Sequence, residues 1–431
     1  MLYLESSYNE FTVNERENYS VKECVPNKNH FMLDSLNVKF RPAYRTHIPR
    51  KQRLGQFVPG HSRPMMAMIE VTNRCNMTCP VCFSGANHMP HDVPLVKIRK
   101  YMEQLLEVSK TPIPIQISGG EPTVRKDLPE IISLVKSLGF CHIELITNGI
   151  KISRNPVILQ ELKDKGLTAV YLQFDGLKRE TYLKIRGQDM TEVRHKAIEA
   201  TRQASLCCTL AVAVTRGVNE DEVGDVVRFG IDNIDVVRAI NFQSATRFSG
   251  RFELDGRYGG YSMPDLLKLI EVETGIPADT FRSEHLGHPL CNAMSLVFLV
   301  DGKLEPLFKY ITREDLLAFM GVEVHQKVLA SIAGKREFFF RYLANPAAWR
   351  LITKASPIFG SNPFNVLRTK NILLFAKSFM ERHALDPERV GRCCYAITGQ
   401  EGVFSFCAYN NLYRLPYNNQ NNHGHIPLIR E

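Results

Sequence analysis

The stretch Thr72–Phe83, TNRCNMTCPVCF, sets Cys75, Cys79 and Cys82 in a C-x3-C-x2-C spacing. A closed structural zinc site or an ordinary ferredoxin-type cluster takes four protein ligands, so a compact triplet leaves one coordination position for something other than this loop. The triplet directly follows an apolar run, MMAMIEV, and working outward from that run gives the architecture. From Met66 the chain alternates short apolar segments with amphipathic ones: MMAMIEV, IPIQISG, CHIELIT, TAVYLQF, CCTLAVAV and DVVRAINF are six candidate strands.

Helices announce themselves between the strands by period and by caps. Asp127 precedes Leu128, Ile131, Ile132, Val135 and Leu138, with Gly139 as the stop. Asn155 and Pro156 open a second helix that ends near Gly166, Asp189 and Glu192 form a capping-box pattern before a third, and Asn219 caps a fourth. Strict alternation of strand and helix implies parallel strands joined by right-handed crossovers. The expected fold class is α/β, a partial (β/α)6 barrel of the TIM type, with chemistry at the C-terminal ends of the strands. The chain divides into three regions: an N-terminal extension over 1–64, the partial barrel over 65–250, and a C-terminal extension over 251–431. Within the last, 262–274 and 312–385 read mainly as helices, including REFFFRYLANPAAW and NILLFAKSFM, and GRCCYAITGQEGVFSFCAYN reads as a hairpin flanked by cysteines.

Composition limits the function classes. The 431 residues are 44% hydrophobic and 23% charged, which suits a globular chain with a large core. Fifty-four Lys and Arg against 45 Asp and Glu give a net charge of +9 without a dense basic block, so an anionic ligand is expected and nucleic acid is not. The N-terminus shows no apolar signal region, and no long apolar run suggests a transmembrane segment. A cytoplasmic protein is expected. In that compartment eleven cysteines read as metal ligands, reactive thiols or small buried residues rather than as a disulfide framework.

The strand ends carry further signals. SGGEPT follows the second strand, and there Gly119 and Gly120 permit close backbone approach while Glu121 suits a cationic amine. Thr147 and Asn148 close the third strand in ITNG, and Gln173 and Asp175 close the fourth in LQFDG. Cys207 and Cys208 face opposite sides of the fifth strand, so both cannot hold one metal; with Cys141 they read as small buried residues. Cys291, Cys393, Cys394 and Cys407 lie outside the six strands, each beside Gly, Pro or aromatic residues.

C-x3-C-x2-C followed by Phe83 resembles the signature of the radical S-adenosylmethionine (SAM) enzymes. The resemblance implies a [4Fe–4S] cluster on Cys75, Cys79 and Cys82, with SAM chelated at the fourth iron. A zinc site completed by His88 or His91 is the plainer alternative. The resemblance places Gly119, Gly120, Glu121, Thr147, Asn148, Gln173, Asp175 and Arg186 around SAM. It implies reductive cleavage of SAM to a 5′-deoxyadenosyl radical that functionalises an unactivated C–H bond, and an electron donor such as flavodoxin or ferredoxin. The motifs around His288–Cys291, Arg392–Cys393 and Phe406–Asn410 resemble the group typified by the archaeal tetraether-lipid synthase. That likeness implies an auxiliary [4Fe–4S] cluster on Cys291, Cys393, Cys394 and Cys407, and C–C bond formation on a lipid or other apolar chain. Cys394 serves there either as fourth ligand or as a thiol facing the substrate, in which case His285 or His288 completes the cluster. Two departures stand out: only Cys24 precedes Cys75, and Leu286 occupies a position where that group carries a further cysteine. Alternatives are radical peptide modification, methyl transfer to a small heterocycle, and an iron–sulfur or zinc binding module without catalysis.

Overall fold

Apolar runs bounded by Gly, Asn and Pro form strands because β-branched and aromatic side chains pack on both faces of a covered sheet. In the computed structural model the strands are β1 (Met66–Thr72), β2 (Val81–Cys82), β3 (Ile115–Gly119), β4 (Ile143–Thr147), β5 (Ala169–Gln173), β6 (Cys207–Val214) and β7 (Val237–Ser244). They continue with β8 (Arg251–Phe252), β9 (Asn292–Val300), β10 (Lys303–Pro306), β11 (Asn371–Lys377), β12 (Tyr395–Gly399) and β13 (Gly402–Ser405). The structure describes residues 52–59, 63–255, 258–283, 287–312, 314–315, 346–360, 365 and 369–414. Contacts divide the chain into Met1–Arg53 and Leu54–Glu431, and all thirteen strands among the described residues belong to the second unit. Cys24, His285 and Leu286 lie outside the described residues, as does most of the segment expected as helix before Pro346.

All strands except β2 and β8 share one eleven-stranded sheet in the order β10-β9-β11-β7-β6-β5-β4-β3-β1-β12-β13. From β12 through β1, β3, β4, β5, β6 and β7 to β11, each neighbour runs parallel to the next. The six expected strands are the middle of this array. Helices Leu95–Ser109, Leu128–Ser137, Ile158–Lys165, Thr191–Gln203 and Val223–Asp232 fill the crossovers. They cover one face, burying Ile115, Ile117, Leu145, Val170, Leu172, Leu210 and Ile240 in the principal core.

The C-terminal part extends the same sheet at both ends. NILLFAK, expected as helix, is β11, paired parallel to β7 and antiparallel to β9. A short apolar run buried on both faces has no period that separates helix from strand, and here the sheet edge decides. Helices do occur nearby, at Pro346–Lys354 and Ser356–Phe359. The expected cysteine-flanked hairpin is β12 and β13. Cys208 is buried on β6 as expected, but Cys141 lies ahead of β4 and is exposed. Its place is the turn after Gly139, whose carbonyl accepts from the Cys141 thiol at 3.3 Å.

Candidate active site

The cysteine loop leaves β1 and is held by backbone contacts that only glycine permits. A Cβ on Gly119 would lie 2.2 Å from the Thr72 carbonyl oxygen, and one on Gly120 would lie 2.3 Å from that of Arg74. Gly120 N–H donates to the Thr72 carbonyl at 2.8 Å and Glu121 N–H to that of Arg74 at 2.9 Å. The two glycines therefore bring the end of β3 against the loop that carries the thiols. The far side of the loop is tied by β8, which pairs Val81 with Phe252 and Cys82 with Arg251. Buried Arg251 donates to the carbonyls of Cys79 at 3.0 Å and Ala86 at 3.1 Å.

Glu121 is fully buried, and its carboxylate accepts from Thr123 N–H at 3.2 Å, Thr123 Oγ1 at 2.7 Å, Thr147 Oγ1 at 2.8 Å and Asn148 N–H at 2.7 Å. Burial raises its pKa against the pull of these four bonds. Asn148 Nδ2 donates to Asn76 Oδ1 at 2.7 Å and lies 4.0 Å from Cys75 Sγ. Asp175 clasps Arg186 by two bonds, Nε to Oδ2 at 2.6 Å and Nη2 to Oδ1 at 2.7 Å, while Arg186 Nη1 reaches the Val81 carbonyl at 2.9 Å. This guanidinium also draws down the pKa of Cys79, though burial prevails and the net shift is upward. Burial pushes the Cys75 thiol up to about 12, so its ionisation requires a positive centre at the site. Gln173 joins through Arg194, whose guanidinium donates to Gln173 Oε1 at 3.2 Å and to the Asn148 carbonyl.

The predicted residues of four strand ends thus converge on one loop. Two buried arginines were missed. Arg194 lies on the inner face of its helix with Ala197, Ile198 and Thr201, so an arginine interrupting an apolar stripe was the available signal. Arg251 stands in SGRFE, where nothing in the local pattern marks it.

Cys291 precedes β9, Cys393 and Cys394 precede β12, and Cys407 follows β13; Asn292, next to Cys291, reaches the Cys394 sulfur. Each is buried enough to raise its pKa, to about 11 for Cys394 and about 12 for Cys407. Cys393 also feels the charges of Cys394, Cys407 and Cys291. Arg389 Nε donates to Cys291 Sγ at 3.2 Å, Met380 N–H to Cys407 Sγ at 3.4 Å, and Asn292 Nδ2 to Cys394 Sγ at 3.8 Å. His288 accepts from Leu290 N–H through Nδ1 at 3.2 Å, and burial lowers its pKa to about 4. Among the described residues, no three His, Cys, Asp or Glu side chains close on a single metal ion. A cubane binds its thiolates at separate corners, farther apart than the ligands of one metal ion.

Cys394 also borders a cavity on the inner face of the sheet, together with Gln116, Glu144, Tyr171, Asn241 and Lys377. Met66, Leu373 and Phe375 add apolar wall. The cavity therefore adjoins the second group of thiols.

Residues 69–230 match the radical SAM superfamily. The chain is 34% identical over 403 residues to 7,8-dihydro-6-hydroxymethylpterin dimethyltransferase of Methanocaldococcus jannaschii, covering 83% of this chain and 78% of that one. It is 34% identical over 177 residues to a probable GTP 3′,8-cyclase of Methanothermobacter marburgensis, covering 39% of this chain and 55% of the other. SuiB of Streptococcus suis bound to S-adenosylmethionine aligns with a TM-score of 0.41 and 20% identity, over 49% of this chain and 47% of that one. The two sequence relatives bear pterin and nucleotide names rather than the tetraether-lipid name expected from the C-terminal motifs. Among the described residues no helix is long and apolar enough to cross a membrane. With the thiol loop, its glycine-dependent seat and a pterin enzyme aligned along most of both chains, the protein belongs to the radical SAM superfamily.

Proposed function

We propose that this enzyme transfers methyl groups from a small-molecule one-carbon donor, a co-substrate beside the SAM that yields the radical, to a reduced pterin or a closely similar bicyclic heterocycle. The carrying observation is the cavity on the inner face of the sheet, walled in part by buried polar side chains and bordered by Cys394. An alkyl chain placed there would cover Gln116, Glu144 and Asn241 without pairing with them, which costs stability, whereas a nitrogen heterocycle offers them partners. The likeness to the pterin dimethyltransferase covers 83% of this chain, well beyond the length of the partial barrel alone. Pterin and the guanine of GTP share a fused 2-amino-4-oxopyrimidine ring, so one kind of cavity suits the substrates named for both relatives.

Cys75, Cys79 and Cys82 would hold a [4Fe–4S] cluster, and Cys291, Cys393, Cys394 and Cys407 an auxiliary one. When bound, the first supplies an electron to SAM, which breaks to methionine and a 5′-deoxyadenosyl radical able to take hydrogen from an unactivated C–H bond. The chain's own residues place the reactants. Glu121 offers negative charge to the SAM ammonium, and the Gly119–Gly120 turn seats the thiol loop. Arg186, aimed by Asp175, keeps two further N–H donors for the SAM carboxylate. Asn148 and Gln173, linked through Arg194, fix the floor between SAM and the cavity. Flavodoxin or ferredoxin would deliver the electron.

The test is anaerobic incubation of the reconstituted, reduced enzyme with SAM and 6-hydroxymethyl-7,8-dihydropterin, followed by mass spectrometry. Methylated pterin appearing together with 5′-deoxyadenosine supports the reading. Formation of 5′-deoxyadenosine with unchanged pterin, in the presence of the organism's small-molecule extract as methyl source, overturns it.

A further inference from the structure

Below the strand-end residues, the inner face of the sheet carries a second polar ring that the SAM chemistry leaves unused. Tyr171 precedes Gln173 by one pleat repeat, about 7 Å along the strand, and Glu144 pairs with Ala169 one repeat further down. Gln116 and Glu144 are register partners on β3 and β4, and Gln116 Nε2 donates to Glu144 Oε2 at 2.7 Å. His142 stands 3.5 Å from the other oxygen of Glu144. A carboxylate has about four acceptor sites, so two remain when Gln116 and His142 are counted. Glu144 is 7% exposed, and it borders the cavity.

Across the cavity, Asn241 is 2% exposed and gives Nδ2 to the Tyr171 hydroxyl at 2.6 Å, while its Oδ1 has no partner. Exchanging the nitrogen and oxygen of this amide changes nothing: one end meets Tyr171 and the other is left over. A buried amide end without a partner destabilises the fold unless something that occupies the cavity pairs with it. Glu144 on β4 and Asn241 on β7 border the same cavity, so a flat bicycle lying in it meets a polar group from each.

Resting on the heterocycle reading above, we infer that this ring is the specificity site, in which Glu144 reads the amino edge of a 2-amino-4-oxopyrimidine. Its carboxylate takes paired hydrogen bonds from the ring N–H and the exocyclic amine, a bidentate arrangement suited to a planar amidine-like edge. The free end of Asn241 pairs with a polar atom on the distal ring. Gln116 and His142 position the carboxylate and are not themselves readers. The site therefore distinguishes a 2-amino ring from its 2-oxo counterpart.

The experiment measures binding to the reconstituted full-length enzyme of 6-hydroxymethylpterin, 6-hydroxymethyllumazine, which carries oxygen in place of the amine, and guanosine. Wild-type enzyme should prefer pterin over lumazine by about ten- to a hundredfold, and Glu144→Gln should erase most of that preference. Asn241→Ala should weaken both bicycles while keeping their ratio, a readout that requires folded protein. If wild type binds pterin and lumazine equally, or Glu144→Gln keeps the full preference, the specificity site is overturned and methyl transfer to pterin stands. If guanosine binds with the same Glu144 dependence and pterin does not, the specificity site stands and the pterin substrate falls. Binding of none of the three by wild type overturns both.

Discussion

The ammonium of Lys377 lies 4.9 Å from the ring centroid of Tyr395, although β7, β6, β5, β4, β3 and β1 separate their strands in the sheet. A flat sheet would hold these residues far apart, so the contact shows the sheet curling until β11 and β12 face one another across the cavity. Tyr395 also donates its hydroxyl to Gln116 Oε1, binding the curl to the polar ring. Tyr395→Phe removes that donor and leaves a buried acceptor unpaired. It should lower unfolding stability by about 1–3 kcal/mol. Urea denaturation measures this, with the slope unchanged if only the bond is lost. A midpoint equal to that of wild type would mean the hydroxyl contributes nothing.

Asp175 and Arg186 form a pair whose side chains are 0% and 7% exposed, and the arginine also supports Val81 in the thiol loop. Removing one partner of a buried pair leaves the other charge uncompensated. Asp175→Ala should therefore cost about 3–5 kcal/mol, and iron uptake by Cys75, Cys79 and Cys82 should fall with it. Thermal unfolding and iron content after anaerobic reconstitution provide the check. Wild-type values in both would reduce the pair to a bystander.

How much of this was legible beforehand depends on the range of the interactions. The alternation from Met66 to Phe242 depends on local pattern, and it yielded the parallel strands in their correct sequence. The thiol triplet and SGGEP depend on fixed spacing at strand ends, and the structure places them against each other. β11 was misread because NILLFAK acquires strand character from neighbours β7 and β9, which lie far away in sequence. The inner polar ring was invisible for a related reason. Gln116, Glu144 and Asn241 each look like a lone polar residue in an apolar run, and only the folded sheet places them around one cavity.

The His142 and Glu144 pair should give stability a defined pH window. Burial opposes charge on Glu144, but His142 and Gln116 more than offset it and hold the carboxyl below its ordinary 4.5. Burial likewise opposes charge on His142, yet its bond to Glu144 carries the imidazole above its ordinary 6.5. A depressed carboxyl contributes stability above 4.5 that is lost as pH falls through its folded value. A raised imidazole contributes below 6.5 and loses that contribution as pH climbs through its folded value. The stability gap between wild type and His142→Gln should therefore be widest between these limits and narrow on both sides. Denaturant midpoints across the range test it, and a gap constant with pH would mean the pair is not ionised.

Iron counting separates the two groups of thiols. Each cubane holds about four irons, so the fully loaded chain should carry about eight, and a variant with Cys75, Cys79 and Cys82 all replaced by Ala about four. That variant should form no 5′-deoxyadenosine. Its remaining iron depends on Cys407, which is buried on the short helix Phe406–Ala408 directly after β13. Cys407 and Cys291 come from different ends of the C-terminal segment, and, on top of burial, the charge of each raises the pKa of Cys393. Adding Cys407→Ala or Cys291→Ala to the triple variant should empty the second site, read as loss of the charge-transfer absorbance and of iron. If about four irons persist in both quadruple variants, these thiols do not hold the auxiliary cluster. If the folded triple variant binds none, the cluster does not exist, and Cys394 beside Lys377 becomes a cavity thiol whose charge the ammonium favours.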